Sequence, residues 1–210
     1  MFRVHLVAYL TLATVCTATQ LPAQFISIGQ APQASTSVST AAVHSGGPNV
    51  GDVAPDFTFS GATRYGLLRD AMKLSDLRGQ TVVLAFFPGA RTPGCTIQME
   101  KYRDMYATLF NNGANVVVLG VSVDPDTALA SWAHDAHFPM LFTSDAGGSR
   151  GTIGMLYGAY DTTYKLEHRL LYVIGPDGKV AYVAKPFDVS KTDSYTGLGS
   201  AIQKTLGPTR

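Results

Sequence analysis

The feature that most limits the fold of this chain is a set of four uncharged apolar runs. They cover residues 82–87, 116–123, 170–174 and 180–184 and are rich in branched and aromatic side chains. Runs of this length and composition are typical of strands that are buried on both faces. The sequence Gly-Pro-Asp-Gly at 175–178 predicts a hairpin turn between the last two strands, because Pro presets φ and Gly accepts a positive φ.

Helical patterns separate these runs. Apolar residues recur at three- and four-residue spacing from Met99 to Phe110, charged residues fall between them, and Gly113 marks the end of the helix. Residues 127–137 predict a shorter helix, and residues 192–206 predict a carboxy-terminal one. This order predicts an α/β protein with a mixed central sheet and helices on both faces. In such sheets, functional sites collect beyond the carboxyl ends of the parallel strands.

The amino terminus predicts a signal peptide over residues 1–23. Arg3 precedes an apolar run at 6–15, and this run is shorter than the roughly 20 residues that span a bilayer. Small residues follow the run, so we expect cleavage after Ala18 or Ala23.

We therefore expect an exported protein, with the bacterial periplasm as its compartment and no membrane attachment after signal cleavage. A cytosolic tail and lipidation of Cys16 remain as alternative interpretations of the same segment. Residues 24–49 are rich in Ser, Thr, Ala, Gln and Gly, which predicts a flexible linker. Residues 50–208 are predicted to form the folded domain.

Charge and cysteine content exclude several classes of function. The net charge is +1, charged residues make up 15%, and no block of Lys and Arg is present, so we expect no nucleic-acid partner. The cysteines are Cys16 and Cys95, and removal of the signal peptide leaves one. A lone cysteine excludes an intramolecular disulfide and zinc binding by paired cysteines. No cofactor and no metal are expected.

Cys95 is the candidate for chemistry, because it lies where a loop becomes a helix just beyond the first strand. Backbone N–H groups at a helix start are unpaired and carry partial positive charge, which favours the thiolate, the reactive form. Thr92 precedes Cys95 by one turn, so its hydroxyl can point back toward the sulfur, while Pro88 and Pro93 stiffen the loop. The alternative interpretation is a buried, inert cysteine.

The spacing Pro88-x-x-x-Thr92-x-x-Cys95, with its local sequence Thr-Pro-Gly-Cys-Thr, resembles the active-site motif of the peroxiredoxin family. The local sequence is the form found in the bacterioferritin-comigratory-protein branch. Four further segments resemble that family in family order, namely residues 51–57, 73–79, 121–124 and 169–178. The resemblance covers nearly the whole predicted domain. It implies a thioredoxin-like fold and the reduction of hydroperoxides.

The resemblance also implies roles for individual residues. Cys95 attacks the terminal oxygen of the peroxide and becomes a sulfenic acid. Arg169 holds the thiolate and polarises the peroxide, because its fork of donors suits a pair of oxygens better than lysine does. Thr92 accepts from and donates to the peroxide, and Pro88 shields the sulfenic acid. Backbone N–H groups near Gly94 and Cys95 stabilise negative charge in the transition state.

Two positions depart from the family pattern. Glu100 stands where many members of the branch have a resolving cysteine. The resemblance then implies reduction by an external thiol or a thioredoxin-like reductant, unless a retained Cys16 acts as the resolver. Gln98 stands where many relatives have glutamate.

The missing resolving cysteine leaves two alternative functions open. One is a peroxide-sensing redox module, in which the sulfenic acid persists as a signal. The other is a thiol–disulfide exchange protein on the same fold, although the chain lacks the Cys-x-x-Cys pattern usual in such proteins. The hydroperoxide, the reductant and the assembly state, monomer or homodimer, are left open by the sequence.

Three weaker patterns are interpreted as structural. His134 and His137 have a metal-binding spacing but no third ligand nearby, which favours a solvated helix surface. The glycine-rich segment 145–151 lacks the Gly-Lys-Ser ending of a phosphate loop and predicts a connecting loop. A catalytic base at His168 is disfavoured, because it lies one strand position from Arg169 and points to the other face.

Overall fold

The computed structural model describes residues 46–146 and 151–207. Within these residues the strands are β1 Thr58–Phe59, β2 Ala62–Thr63, β3 Gly66–Leu67, β4 Met72–Lys73, β5 Thr81–Phe86, β6 Val116–Ser122, β7 Leu141–Ser144, β8 Tyr160–Asp161, β9 Leu166–Glu167, β10 Leu171–Ile174 and β11 Val180–Ala184. The helices are α1 Pro93–Asp104, α2 Tyr106–Leu109, α3 Asp126–Asp135, α4 Thr152–Tyr157 and α5 Thr192–Leu206, with 3₁₀ turns at Leu74–Leu77 and Asn111–Gly113.

Seven of these strands form one sheet in the order β11-β10-β5-β6-β7-β2-β3. β5, β6 and β7 run parallel, and the remaining neighbours pair antiparallel. β5 lies inside the sheet, where Val83 pairs with Val118 of β6 and with Val173 of β10. The predicted mixed sheet is confirmed. The parallel strands β5 and β6 end at the same edge of the sheet, and Cys95 follows β5 there.

Alternate side chains of β5 supply two separate cores. Val83 and Ala85 belong to a core that α1, α3 and α5 cover. Leu84 and Phe86 belong to a core that α4 and the 3₁₀ turn Leu74–Leu77 cover. All four β5 side chains are fully buried, as expected for a central strand between two layers. The predicted helices on both faces are therefore confirmed.

The predicted boundaries agree with β5, β6, β10 and β11 to within one residue, and α3 and α5 lie where helices were expected. The prediction of one continuous helix that ends at Gly113 is wrong, because the chain forms two helices there. α1 ends at Asp104, and Met105, with φ −98° and ψ 11°, separates it from α2. The sequence did not predict β7 and α4, because elements of four and six residues are too short to show a clear period.

The hairpin between β10 and β11 has the predicted turn, but β11 is less buried than predicted. Gly178 has φ +75° and donates its N–H to the Gly175 carbonyl at 2.8 Å, which closes the predicted turn. β11 was expected to be buried on both faces, and this is wrong, because β11 is an edge strand of the sheet. Val180 is buried, whereas Ala181 is exposed.

The predicted signal peptide and most of the predicted linker lie outside the described residues. The described chain begins at Gly46, and Gly47 and Pro48 are already buried. Gly47 has φ +78°, and a Cβ at this position would lie 2.1 Å from the Tyr157 carbonyl oxygen and 2.6 Å from the Tyr172 hydroxyl. Residues 46–49 therefore pack on the domain. Among the helices of the described residues, none is both long and apolar enough to cross a membrane.

Candidate active site

Cys95 is the third residue of α1 and is completely buried. Thr92 is the N-cap in an extended conformation and makes no side-chain hydrogen bond to the helix, and Pro93 opens the helix without an N–H group. The N–H groups of Gly94 and Cys95 therefore have no acceptor within the helix. Their partial positive charge lies beside the sulfur and favours an anion there.

Arg169 reaches Cys95 from the chain segment between β9 and β10. Its Nη2 atom lies 3.3 Å from Cys95 Sγ, and its Nη1 atom donates to Oε1 of Gln98. A Cβ at Gly94 would lie 3.2 Å from the same Nη2 atom, so the missing side chain gives the guanidinium its room. The N–H of Phe187 donates to the Arg169 carbonyl at 2.9 Å, which holds the backbone in place. The predicted pair of Cys95 and Arg169 is thus brought together.

Gln98 connects this pair to a buried tyrosine. Gln98 is fully buried one turn after Cys95, and its Nε2 donates to the Tyr102 hydroxyl at 3.1 Å. Burial raises the pKa of Tyr102 far above its ordinary value, so the phenol is neutral at any physiological pH. The sequence marked Gln98 as a departure from the family but did not predict its bond to Arg169, because the two residues are 71 positions apart.

Thr92 and Pro88 lie at the mouth of the site. The Thr92 side chain is exposed, and its hydroxyl donates to the Gly89 carbonyl at 2.9 Å. The hydroxyl is thus bonded to the loop that precedes the helix, and its predicted orientation toward the sulfur stays a prediction. With its proton on the Gly89 carbonyl, the oxygen is free to accept from a peroxide, and donation from Thr92 to the peroxide stays a prediction. Pro88 is half-buried just after β5, and its shielding role stays a prediction.

Two carboxylates contact the loop between β5 and α1. Oδ2 of Asp124 accepts from the N–H of Ala90 at 2.7 Å and from the Ser122 hydroxyl at 2.8 Å. Arg91 has φ +61°, and its Nη2 pairs with Oδ2 of Asp135 at 2.5 Å. That hydrogen bond lowers the pKa of Asp135. The loop that presents Cys95 is thus tied to β6 through Asp124, whereas the exposed pair with Asp135 adds little.

The weaker sequence patterns have structural partners. Nδ1 of His134 lies 3.1 Å from the Arg64 carbonyl, and no group of three or more potential metal ligands occurs in the described part of the chain. The exposed His168 pairs with Asp161 at 3.2 Å. Of the glycine-rich segment 145–151, residues 147–150 lie outside the described residues.

A buried acidic pair lies beside α4. Glu167 of β9 is fully buried, and its carboxyl group lies beside the carboxyl group of Asp145. Asp145 accepts the N–H groups of Ile153 and Gly154 at 2.9 and 2.7 Å. Burial and the nearby charge of Asp145 raise the pKa of Glu167 to about 9, so Glu167 is protonated at neutral pH. No local sequence pattern pointed to this pair.

A cysteine at a helix start, paired with an arginine at the edge of a mixed sheet, defines a thiol-based redox protein. The AhpC/TSA family model matches residues 50–183, which span most of the described domain. The chain therefore belongs to the AhpC/TSA family, and it is a peroxiredoxin with a thioredoxin-like fold.

Individual relatives agree with this assignment. The chain is 32% identical over 155 residues to "Peroxiredoxin Bcp" of Escherichia coli strain K12, covering 69% of this chain and 88% of the relative. The crystal structure of "Peroxidoxin BcpB" from Mycobacterium tuberculosis matches with a TM-score of 0.57 and 29% identity, covering 73% of this chain and 97% of that one. The fold is also similar to the Xanthomonas campestris bacterioferritin comigratory protein, at a TM-score of 0.58 and 18% identity over 69% of this chain and 89% of that one.

Proposed function

We propose that this protein is a thiol-dependent peroxidase that reduces hydrogen peroxide and organic hydroperoxides through a Cys95 sulfenic acid. The observation that carries the proposal is the 3.3 Å contact between Arg169 Nη2 and Cys95 Sγ at the first turn of α1. A guanidinium and a helix start together favour the thiolate, which is the nucleophile in such reactions. The X. campestris protein of similar fold has alkyl peroxide reduction activity, which supports the same substrate class.

The proposed reaction conserves atoms and charge. The Cys95 thiolate attacks the terminal oxygen of ROOH, an S–O bond forms, and the O–O bond breaks. The leaving RO⁻ takes from water the proton that the thiol released when it ionised and departs as ROH, and Cys95 becomes a sulfenic acid. Arg169 and the N–H groups at the start of α1 stabilise the charge that moves from sulfur to oxygen. Thr92 accepts the hydrogen bond of the peroxide O–H, since its own proton is donated to the loop.

The second half of the cycle uses an external thiol. Cys95 is the free cysteine of the described residues, and the half-buried Glu100 occupies the position of the usual resolving cysteine. α1 is also tied to its surroundings, because Lys101 donates to the Val189 carbonyl at 3.1 Å and Arg103 to the Ala136 carbonyl at 3.0 Å. An external thiolate attacks the sulfenic sulfur and displaces hydroxide, which takes the proton released by that thiol to form water, and a second thiol then resolves the mixed disulfide.

A turnover assay with matched variants tests this proposal. The full chain is mixed with hydrogen peroxide or cumene hydroperoxide and excess dithiothreitol, and peroxide loss is followed over many equivalents. Wild type is expected to turn over repeatedly, Cys95→Ser to lose the protein-dependent rate, and Cys16→Ser to keep it. Full activity in Cys95→Ser would refute the peroxidase, and lost activity in Cys16→Ser would refute the one-cysteine cycle.

A peroxide-sensing module is the second candidate, favoured by the absence of a resolving cysteine from the described residues. In that case the sulfenic acid persists as a signal. The same assay separates the two functions. Consumption of one equivalent of peroxide per protein, without further turnover under dithiothreitol or a thioredoxin system, would favour the sensor.

We also propose that the mature protein is exported, on the basis of the signal-like pattern in residues 1–23. Export to an oxidising compartment fits a mature chain with one cysteine, which cannot mispair within itself. A thioredoxin-like donor would then supply the reducing thiol, and the protein would act as a monomer or a homodimer free of the membrane. Cell fractionation and amino-terminal sequencing test this. A cytosolic chain that still begins at Met1 would contradict export.

A further inference from the structure

We infer that Gln98 is a positioning residue whose neutrality leaves the positive charge of Arg169 to the Cys95 thiolate. The inference rests on the proposed function, because it explains how the reactive form of Cys95 is favoured. It concerns a residue that touches neither sulfur nor peroxide in the described contacts and acts through the guanidinium.

The orientation of the Gln98 amide follows from its partners. Arg169 can only donate hydrogen bonds, so the atom of Gln98 that faces Nη1 must be the carbonyl oxygen. The amide nitrogen then faces the Tyr102 hydroxyl, to which it donates at 3.1 Å. Both ends of the amide are occupied, and the whole side chain is buried. Gln98 therefore fixes one arm of the guanidinium while the other arm points at Cys95 Sγ.

The half-buried Arg169 has no carboxylate partner among the described residues. The ion pairs found in the described residues do not include Arg169. The Cys95 sulfur is thus its anionic partner when ionised. A carboxylate at position 98 would accept the same hydrogen bond, but it would also neutralise part of the positive charge of Arg169. Its negative charge near Cys95 would disfavour formation of the thiolate.

The ionisable groups near this site include one carboxylate, Asp188, whose charge acts on Tyr195 in the opposite direction to the charge of Arg169. They come from α1, α5, β11 and the segment after β11, and they are Tyr102, Lys101, Tyr195, Tyr182 and Asp188. Burial raises the pKa values of Tyr102 and Tyr195, so both are neutral. The carboxylate of Asp188 is bonded to Ser190 and Lys191. Within the described residues no carboxylate forms an ion pair with Arg169, so the thiolate is the anion in direct contact with its guanidinium.

The test variant adds a negative charge at position 98 while keeping both hydrogen bonds of the side chain. In Gln98→Glu the carboxylate accepts from Arg169, and the Tyr102 hydroxyl can reverse and donate to it. Thiolate formation is titrated by its ultraviolet absorbance and by the alkylation rate of Cys95 with iodoacetamide across pH. We expect the midpoint to rise by roughly one pH unit or more. Glu100→Gln, which changes a carboxylate on the same helix outside this contact, is the control and should leave the midpoint in place.

A second variant keeps the inference testable if Gln98→Glu does not fold. Gln98→Met is neutral and similar in length but cannot accept from Arg169, so we expect the rate constant with peroxide to fall about tenfold. An unshifted midpoint in folded Gln98→Glu, an equal shift in Glu100→Gln, or a full rate in Gln98→Met would overturn the inference. A normal titration shift in a protein without peroxidase turnover would refute the proposed function and leave this inference standing.

Discussion

Replacement of Arg169 by methionine tests how much of the rate this contact supplies. The variant removes a charged donor that lies 3.3 Å from Cys95 Sγ and also frees the Gln98 carbonyl. Loss of one preorganised donor to developing negative charge typically costs about 2.7–4 kcal/mol of transition-state stabilisation. The second-order rate constant with peroxide should therefore fall by roughly 10²–10³-fold.

The assay is stopped-flow oxidation of the reduced protein by hydrogen peroxide. Trp132, the single tryptophan of the chain, packs 5.8 Å from the ring of Phe87 in the same core as Cys95 and offers an intrinsic fluorescence signal. Arg169→Lys should fall between wild type and Arg169→Met, because lysine keeps the charge but cannot contact sulfur and amide together.

Arg91→Met is the matched control for the Arg169 variants. Arg91 lies on the loop that presents Cys95, but its exposed pair with Asp135 is typical of surface ion pairs that contribute little. Its rate constant should stay within about fivefold of wild type. A rate constant in folded Arg169→Met that stays within threefold of wild type would refute the assigned role of the guanidinium.

Three further perturbations follow from the structure. Because the folded pKa of Glu167 is raised to about 9, its stabilising contribution is complete at low pH and is lost as pH rises through 9. Urea unfolding at pH 5 and pH 9 should show a steeper loss in wild type than in Glu167→Gln, and equal slopes would contradict this. Asp124→Ala should lower the free energy of unfolding by about 1–3 kcal/mol, since it leaves the backbone N–H of Ala90 in the active-site loop without its acceptor. Gly94→Ala should slow peroxide oxidation severalfold by crowding the Arg169 guanidinium at 3.2 Å, and an unchanged rate would show that the guanidinium gives way.

The central sheet could be predicted from the sequence because its strands are long and continuously apolar. β5, for example, is buried at every position and shows as a run without charge. β7 has four residues and follows Phe138-Pro-Met140, so neither length nor period marks it. The break at Met105 was also missed, since apolar spacing continues across it into α2. Edge position is a property of the whole sheet, which explains why the exposure of β11 was not predicted.

The active site, too, could be predicted only in part. Cys95 and Thr92 lie in one short motif, and the resemblance to peroxiredoxins placed Arg169 with them. The hydrogen bond from Arg169 to Gln98 joins distant parts of the chain, so no local pattern reveals it. The bond from the Thr92 hydroxyl to the Gly89 carbonyl was not predicted, because it depends on the conformation of the loop. Local chemistry was therefore visible in the sequence, whereas hydrogen-bond partners required the fold.

The most direct test of the central claim is the mass of the tryptic peptide that contains Cys95 after one equivalent of hydrogen peroxide. Dimedone is present to trap a sulfenic acid, and the fraction modified is compared with the peroxide consumed. We expect the dimedone adduct on Cys95 in proportion to peroxide loss, and its disappearance when dithiothreitol is added before the trap. Peroxide loss without modification of Cys95 would contradict the assignment of Cys95 as the nucleophile.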